Sequence, residues 1–283
     1  MTAWRIIESG YASGFRNMAV DEAIMQSVAR GEAPPTLRLY GWRPPAVSLG
    51  YHQELDEGID RTAVRERGYD IVRRPTGGRA ILHADELTYS FCIRQDEIAG
   101  GHSVMESYRE ISRGIIAGLE LLGAEVSLGG DGDRRQAQEP ATGADAARPI
   151  CFAKTAGCDL QAAGRKVVGS AQVRRGGGIL QHGSIPITID LEDQIAVMPG
   201  ADERIARQVL AGAAMSVTDL LGRPVSFEEM AEAIVAGFAE AFGVELDRRD
   251  LSEAERRQAV ALEAEKYATA EWNERVPARA HAE

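Results

Sequence analysis

Cysteine is scarce in this 283-residue chain, which has only Cys92, Cys151 and Cys158. So sparse and odd a set excludes a disulfide framework and points to a reducing cytoplasm. No stretch approaches about eighteen unbroken apolar residues, so no membrane-spanning helix is expected. The start, MTAWRIIESG, has neither the basic residues nor the apolar run of a signal peptide. Five scattered histidines form no zinc pattern, and Cys151 and Cys158 stand too far apart for a CxxC redox pair, so no metal is expected. Positive charge is in deficit as well. Lys and Arg number 32 against 43 Asp and Glu, a net charge of −11, which excludes general nucleic-acid binding.

The positive charge that is present is concentrated. Residues 71–82 (IVRRPTGGRAIL) and 161–180 (QAAGRKVVGSAQVRRGGGIL) hold Arg and Lys without a single acid. The chain around these islands mixes helix and strand signals. Ser13 caps a helical pattern through NMAVDEAIMQSVAR. TLRLYGW and AVSLGY read as strands separated by Pro44-Pro45, and residues 56–67 as a helix. YDIVRR and ELTYSFCIR read as strands flanking a Gly77-Gly78 turn, and SYREISRGIIAGLELLG as an amphipathic helix with internal glycines. Residues 127–149, rich in Gly, Ala and Asp, read as a loop. GCDLQA, KVVGSAQVR and ILQHGSIPI read as a meander with turns at Ala163-Gly164 and Gly176-Gly178. Helical patterns follow from about 201, with Ser226 and Ser252 in N-cap position. The expectation is a mixed α/β (α+β) fold whose largely antiparallel sheet carries flanking helices. Its domain spans 1–248 (core about 33–248), and a helical C-terminal extension spans 249–283.

Several residues are suited to chemistry. Gly77 and Gly78 allow close backbone approach beside Arg73, Arg74 and Arg79, though a plain hairpin turn with solvated arginines fits as well. On a regular strand Lys166, Val168 and Ser170 would share one face, opposite Val167, Gly169 and Ala171. So little bulk at Gly169-Ser170-Ala171 favours a pocket wall over a wet sheet face. Cys151 has Lys154, Arg165 and Lys166 near it in sequence and no acid before Asp159. Cationic neighbours raise the thiolate fraction and make a nucleophile. Cys92, inside TYSFCIR, fits a buried inert thiol, and Cys158 fits either role. His83 and His182 suit acid–base work or plain structural hydrogen bonding.

Taken together, RRPTGGRAILHADELTYS, PICFAKTAGCDLQAAGRKVVGSAQ and ILQHGSI resemble the catalytic domain shared by lipoate–protein ligases, biotin–protein ligases and octanoyltransferases. NMAVDEAIM, RPPAVSLGYHQ and LEAEKYATAEWN extend the likeness over almost the whole chain, which is most similar to the cysteine-dependent octanoyltransferases. The resemblance implies that Cys151 carries the acyl group as a thioester and that Lys166 lowers the Cys151 pKa and faces the oxyanion. It implies substrate-binding roles for Arg73, Arg74, Thr76, Gly77, Gly78, Arg79 and His83, and for Gly169, Ser170 and Ala171. The implied donor is octanoyl-acyl carrier protein and the acceptor a lipoyl-domain protein such as the glycine cleavage H protein. No cofactor is implied, and a cytoplasmic monomer suffices. Alternatives are an amidotransferase between lipoyl domains, an ATP-dependent ligase, and a non-catalytic acyl- or lipoyl-binding protein. Arg174 and Arg175 are expected to steer the acidic partners.

Overall fold

The computed structural model describes residues 3–55, 59–129, 159–198 and 203–275. Strand β1 (Ala3–Ala12) leads into helix α1 (Gly14–Ala29), strands β2 (Thr36–Trp42) and β3 (Ala46–Leu49), and helix α2 (Arg61–Glu66). Strands β4 (Asp70–Arg73), β5 (Ile81–His83) and β6 (Glu86–Arg94) precede helix α3 (Val104–Leu121) and the short strand β7 (Ser127–Leu128). Then come β8 (Leu160–Ala162), β9 (Arg165–Arg175) and β10 (Gly178–Pro186), and helices α4 (Leu191–Val197), α5 (Glu203–Ala213), α6 (Val217–Leu221) and α7 (Phe227–Phe242). Strand β11 (Glu245–Arg248), helix α8 (Glu253–Leu262), a π turn over Glu263–Tyr267 and helix α9 (Ala270–Asn273) complete the described chain.

The strands form an eight-stranded sheet in the order β11-β1-β2-β6-β10-β9-β8-β7 and a three-stranded sheet, β4-β3-β5. Pairing is mostly antiparallel, with parallel pairs at β1–β11, β1–β2 and β3–β4. Pro44-Pro45 ends the run of β2 and lets β3 start the smaller sheet. The expected strands on either side of the Gly77-Gly78 turn therefore lie in different sheets, with β5 between them. The expected loop over 127–149 opens with a strand, β7, paired to β8; its remainder from 130 lies outside the described residues. The β9–β10 hairpin turns on Gly176 and Gly177, whose φ values of 57° and 82° suit a two-residue turn.

Helices α3 and α7 cover one face of the large sheet over the main core, which includes Leu39, Tyr89, Phe91, Ile115 and Phe238. Each such side chain stabilises by about 1.5–3 kcal/mol on burial. The glycines inside α3 have a packing reason: a Cβ on Gly114 would meet the Phe238 ring of α7 at 2.7 Å, and one on Gly118 the Ala233 carbonyl at 2.8 Å. Helix α1 lies against the other face at β6 and β10, and also contacts β3, β4 and α8. It is buried nearly all round and takes Asp21 and Glu22 inside with it. Ser13 caps α1, and Ser252 forms a capping box with Glu255 at α8. The small sheet packs on α2, α4 and α5 through Val47, Leu49, Val64, Val197 and Leu210. Among the described residues no helix is long and apolar enough to cross a membrane.

Candidate active site

Between the two sheets lies a cavity of about 290 Å³. Its floor is β9 and β10 (Gly169, Ser170, Ala171, His182, Gly183 and Ser184), and Lys166 and Asp159 stand at one end. Met18, Tyr40, Trp42, Ala80 and Ile81 give it an apolar wall, and Gly78 and Arg79, both exposed, form its rim.

The floor depends on an irregularity. Leu160 of β8 pairs with Val168, but Gln161 pairs with Lys166, so β9 holds an extra residue between them. Such a bulge reverses the side-chain alternation beyond it. Val167 and Val168 both bury in the main core. Lys166 consequently lines the cavity together with Gly169 and Ala171, which corrects the expected grouping with Val168 and Ser170. The hydroxyl of Ser170 bonds the Tyr89 hydroxyl at 2.7 Å in the core under α3 and α7, so its side chain serves the opposite face. Lys166 is 9% exposed, and its Nζ lies 3.0 Å from Asp159 Oδ2. Its carbonyl accepts from the Met215 N–H at 2.9 Å, fixing the strand where the lysine emerges.

The three arginines around the glycine pair have three different positions. Arg73 departs from its expected place among the substrate-binding residues: it is fully buried and absent from the cavity lining. Its guanidinium donates to the carbonyls of Gly50 (2.8 Å) and Gln53 (2.5 Å) on one side and of Trp272 (3.2 Å) and Asn273 (2.9 Å) on the other. Arg74 lines the cavity and stitches the loop from within, donating to Gly77 O (2.8 Å), Arg79 O (2.7 Å) and Ser48 O (3.0 Å). Arg79 is exposed at the rim. Gly78 has φ 94°, and its carbonyl sits where a Cβ on Gly50 would come within 1.8 Å, so both positions require glycine.

Two imidazoles border the cavity, each bonded on both nitrogens. His83 Nδ1 lies 2.8 Å from Glu86 Oε1 and its Nε2 2.7 Å from Ser48 Oγ, and the ring stacks on Trp42 at 4.0 Å. Glu86 also accepts from the hydroxyls of Ser184 (2.6 Å) and Thr88. Burial pushes the Glu86 carboxyl up, but His83 and these hydroxyls outweigh it and hold it below its ordinary value. His182 Nδ1 lies 3.3 Å from Asp21 Oδ2, and its Nε2 is 2.7 Å from Thr76 Oγ1. Asp21 is fully buried and also receives Arg38 (2.7 Å), Ser90 (2.7 Å) and Tyr40 (2.8 Å). Burial raises its pKa, and Arg38, His182 and Ser90 reverse the shift, leaving it lowered. Burial lowers the His182 pKa despite Asp21, aided by the charges of Arg74 and His83. A neutral His182 donates from Nδ1 to Asp21 and accepts the Thr76 proton at Nε2, so Thr76 anchors the loop and does not face the cavity with a free hydroxyl.

Cys92 is buried, and burial pushes its thiol pKa well up, as suits an inert residue. Cys151 and Cys158 lie outside the described residues. The site therefore brings together Arg74, Gly78, Arg79, His83, Lys166, Gly169, Ser170 and Ala171, with Thr76 behind His182 and Gly77 within the loop. Asp21, Glu86 and Asp159 went unassigned in the sequence, although DE inside the apolar run NMAVDEAIM and the acids of HADEL and GCDL were visible there. Among the described residues no group of His, Cys and carboxylate side chains is arranged to hold a metal ion.

Apolar walls, side-chain-poor strand at the floor and one paired ammonium suit a ligand with an aliphatic body and one polar end. Comparison with known proteins agrees with that class. The model of the lipoyl protein ligase A/B catalytic domain matches residues 13–239, and the chain belongs to that family. It is 46% identical to the octanoyltransferase LipM of Symbiobacterium thermophilum, over 97% of this chain and 99% of that one. It is 44% identical to the octanoyltransferase LipM of Kyrpidia tusciae, over 97% and 100%. The crystal structure of lipoate-protein ligase A bound with ATP superposes with a TM-score of 0.78 at 25% identity, over 97% of this chain and 99% of that one.

Proposed function

We propose that the chain is an octanoyltransferase of lipoate biosynthesis that works through a thioester on Cys151. The donor in this reading is octanoyl-acyl carrier protein, and the acceptor is a lysine of a lipoyl domain such as that of the glycine cleavage H protein. The Cys151 thiolate attacks the octanoyl carbonyl, the carbon–sulfur bond to the carrier breaks, and the carrier leaves as a thiol after taking a proton. The acceptor amine then attacks the Cys151 thioester, forming the amide and returning the cysteine as a thiol with the proton the amine loses. One thioester replaces another in the first step, so no ATP is needed.

The observation that carries the reading is Lys166. Its ammonium is held by Asp159 at the end of an apolar cavity whose floor has nothing larger than serine over Gly169-Ser170-Ala171. A fixed cation beside the carbonyl is suited to the oxyanion of both tetrahedral intermediates, a contribution of about 3 kcal/mol for one such donor. The same charge favours the thiolate of Cys151, which precedes Asp159 by eight positions in the chain. Arg74 shapes the loop whose Gly78 and Arg79 border the mouth the donor's acyl chain passes, and His83 with Glu86 keeps Trp42 and Ser48 in place along the wall.

The test is intact-protein mass spectrometry after incubation with octanoyl-acyl carrier protein and no ATP. The wild type is expected to gain one octanoyl group that hydroxylamine removes and that passes to a lipoyl domain, and Cys151→Ser is expected to gain no labile adduct. Transfer that requires ATP and free octanoate would establish a ligase in its place.

A further inference from the structure

The face of β9 that carries Gly169 and Ala171 continues through Val173 to Arg175. Ala171, Val173 and Arg175 pair in turn with His182, Leu180 and Gly178 of β10. Val173 packs with the α1 cluster, and Arg175 reaches Glu22 of α1 at 3.8 Å. Arg174 points the other way: its guanidinium is bound to Gly101 O (2.7 Å), Ser103 O (2.7 Å) and Ser107 Oγ (2.5 Å). The expected steering pair is thus divided, with Arg174 fixed in the fold and Arg175 at 39% side-chain exposure left at the surface.

Arg175 has cationic company. Its guanidinium lies 5.7 Å from the Tyr51 ring, and that of Arg275 lies 3.8 Å from the same ring and 4.2 Å from Trp272. Lys266 Nζ is 4.1 Å from the Trp272 ring. Contact with Arg275, and then the charges of Arg175 and Lys266, hold the Tyr51 phenol below its ordinary pKa against the effect of burial. The carboxylate that faces this group is already engaged: Glu22 receives Lys266 Nζ at 2.5 Å, the Tyr267 hydroxyl and Gln26 Nε2 at 3.2 Å. The buried Nε of Arg275 has no hydrogen-bond partner among the described residues. Arg175 and Lys266 share the one occupied carboxylate and Arg275 stacks beside them on Tyr51 and Trp272, which makes a site short of negative charge.

We propose that Arg175, Lys266 and Arg275 bind the phosphate at the base of the donor's thioester arm. This rests on the transfer reading above. Ala171 of the cavity and Arg175 of the cluster share one face of β9, and from one to the other is four residues of extended strand, about 13 Å. Gly77, Tyr51, Val173 and Arg175 border one surface groove, so an arm that leaves the cavity over the Gly77-Gly78 loop runs towards this cluster. Phosphate suits the arrangement because guanidinium forks and an ammonium match its oxygens, while Tyr51 and Trp272 keep the three side chains stacked and close.

The test measures inhibition of octanoyl transfer from acyl carrier protein by 4′-phosphopantetheine and by pantetheine, which lacks only the phosphate. In the wild type the phosphorylated compound is expected to inhibit about tenfold more tightly, and Arg175→Gln and Arg275→Gln each to erase most of that difference. Equal inhibition in the wild type, or a difference retained in both variants, overturns the assignment. Variants that raise the KM for the carrier protein yet keep the phosphate preference also overturn it, since the cluster then reads the carrier's acidic surface. A wild type that moves no octanoate from the carrier fails the transfer reading, and shows it before any inhibitor is added.

Discussion

Replacing Arg73 with lysine keeps the charge and the approximate length, so the outcome isolates what the guanidinium fork does. Arg73 joins carbonyls of residues 50–53, bound by Nη1, to those of residues 272–273, bound by Nε and Nη2, along different edges of its planar fork. A lysine presents its donors from one atom and satisfies one side at a time. Two buried carbonyls then lose their partners, at about 1–3 kcal/mol each. We expect Arg73→Lys to destabilise the protein by about 4 kcal/mol, a large share of the roughly 5–15 kcal/mol that holds a typical fold. With a urea slope of about 3 kcal/mol/M, the unfolding midpoint drops by about 1.3 M. The assay is urea unfolding followed by fluorescence, with transfer activity measured per folded molecule at low denaturant. An unchanged midpoint with a raised KM for the donor would refute the reasoning and return Arg73 to the substrate.

The remaining predictions concern pH and chain length. His182 is buried with a lowered pKa, so the unfolded state takes up the proton first; its stabilisation is complete above the ordinary histidine value of about 6.5 and is lost as pH falls below it. Asp21 and Glu86 have lowered folded pKa values, so their contribution is present above the ordinary carboxylate range and disappears as pH falls through the folded values. Urea unfolding across pH should show both losses, and His182→Gln should remove the first and keep the part of the second that Glu86 and the Arg38–Asp21 pair supply; parallel curves for the two proteins would contradict this. Ala171→Leu places a larger side chain on the cavity floor and should shift preference from octanoyl towards hexanoyl donors by about tenfold in kcat/KM, the worth of two methylenes. Competition between the two acyl carriers measures it directly.

Local chemistry was legible wherever local chemistry decided the structure. The caps at Ser13 and Ser252, the break at Pro44-Pro45 and the Gly176-Gly177 turn form as their residues dictate. The cavity floor at Gly169 and Ala171 was legible too, because small residues leave space whichever face they take. The position of Lys166 relative to them was not, since alternation fails at a bulge that depends on the pairing of β8 with β9. Arg73 was misread for a related reason. A buried and a solvated arginine look alike in RRPTGG, and the carbonyls that settle the matter come partly from residues 272–273. Strand β11 is legible only as a partner, gaining its sheet position from the parallel pairing with β1.

The clasp on Arg73 also has a place in time. Its acceptors at Trp272 and Asn273 follow it by 199 and 200 residues. At about 5–20 residues per second on the ribosome, some 10–40 s separate the making of the loop from the making of its support. Throughout that interval the nascent chain carries the Gly77-Gly78 turn without the carbonyls that later fix its neighbour. A molecule clipped between residues 249 and 271 has the sequence of every strand and lacks the clasp. The loop that starts at Arg73 thereby owes part of its support to a segment made about 200 residues later.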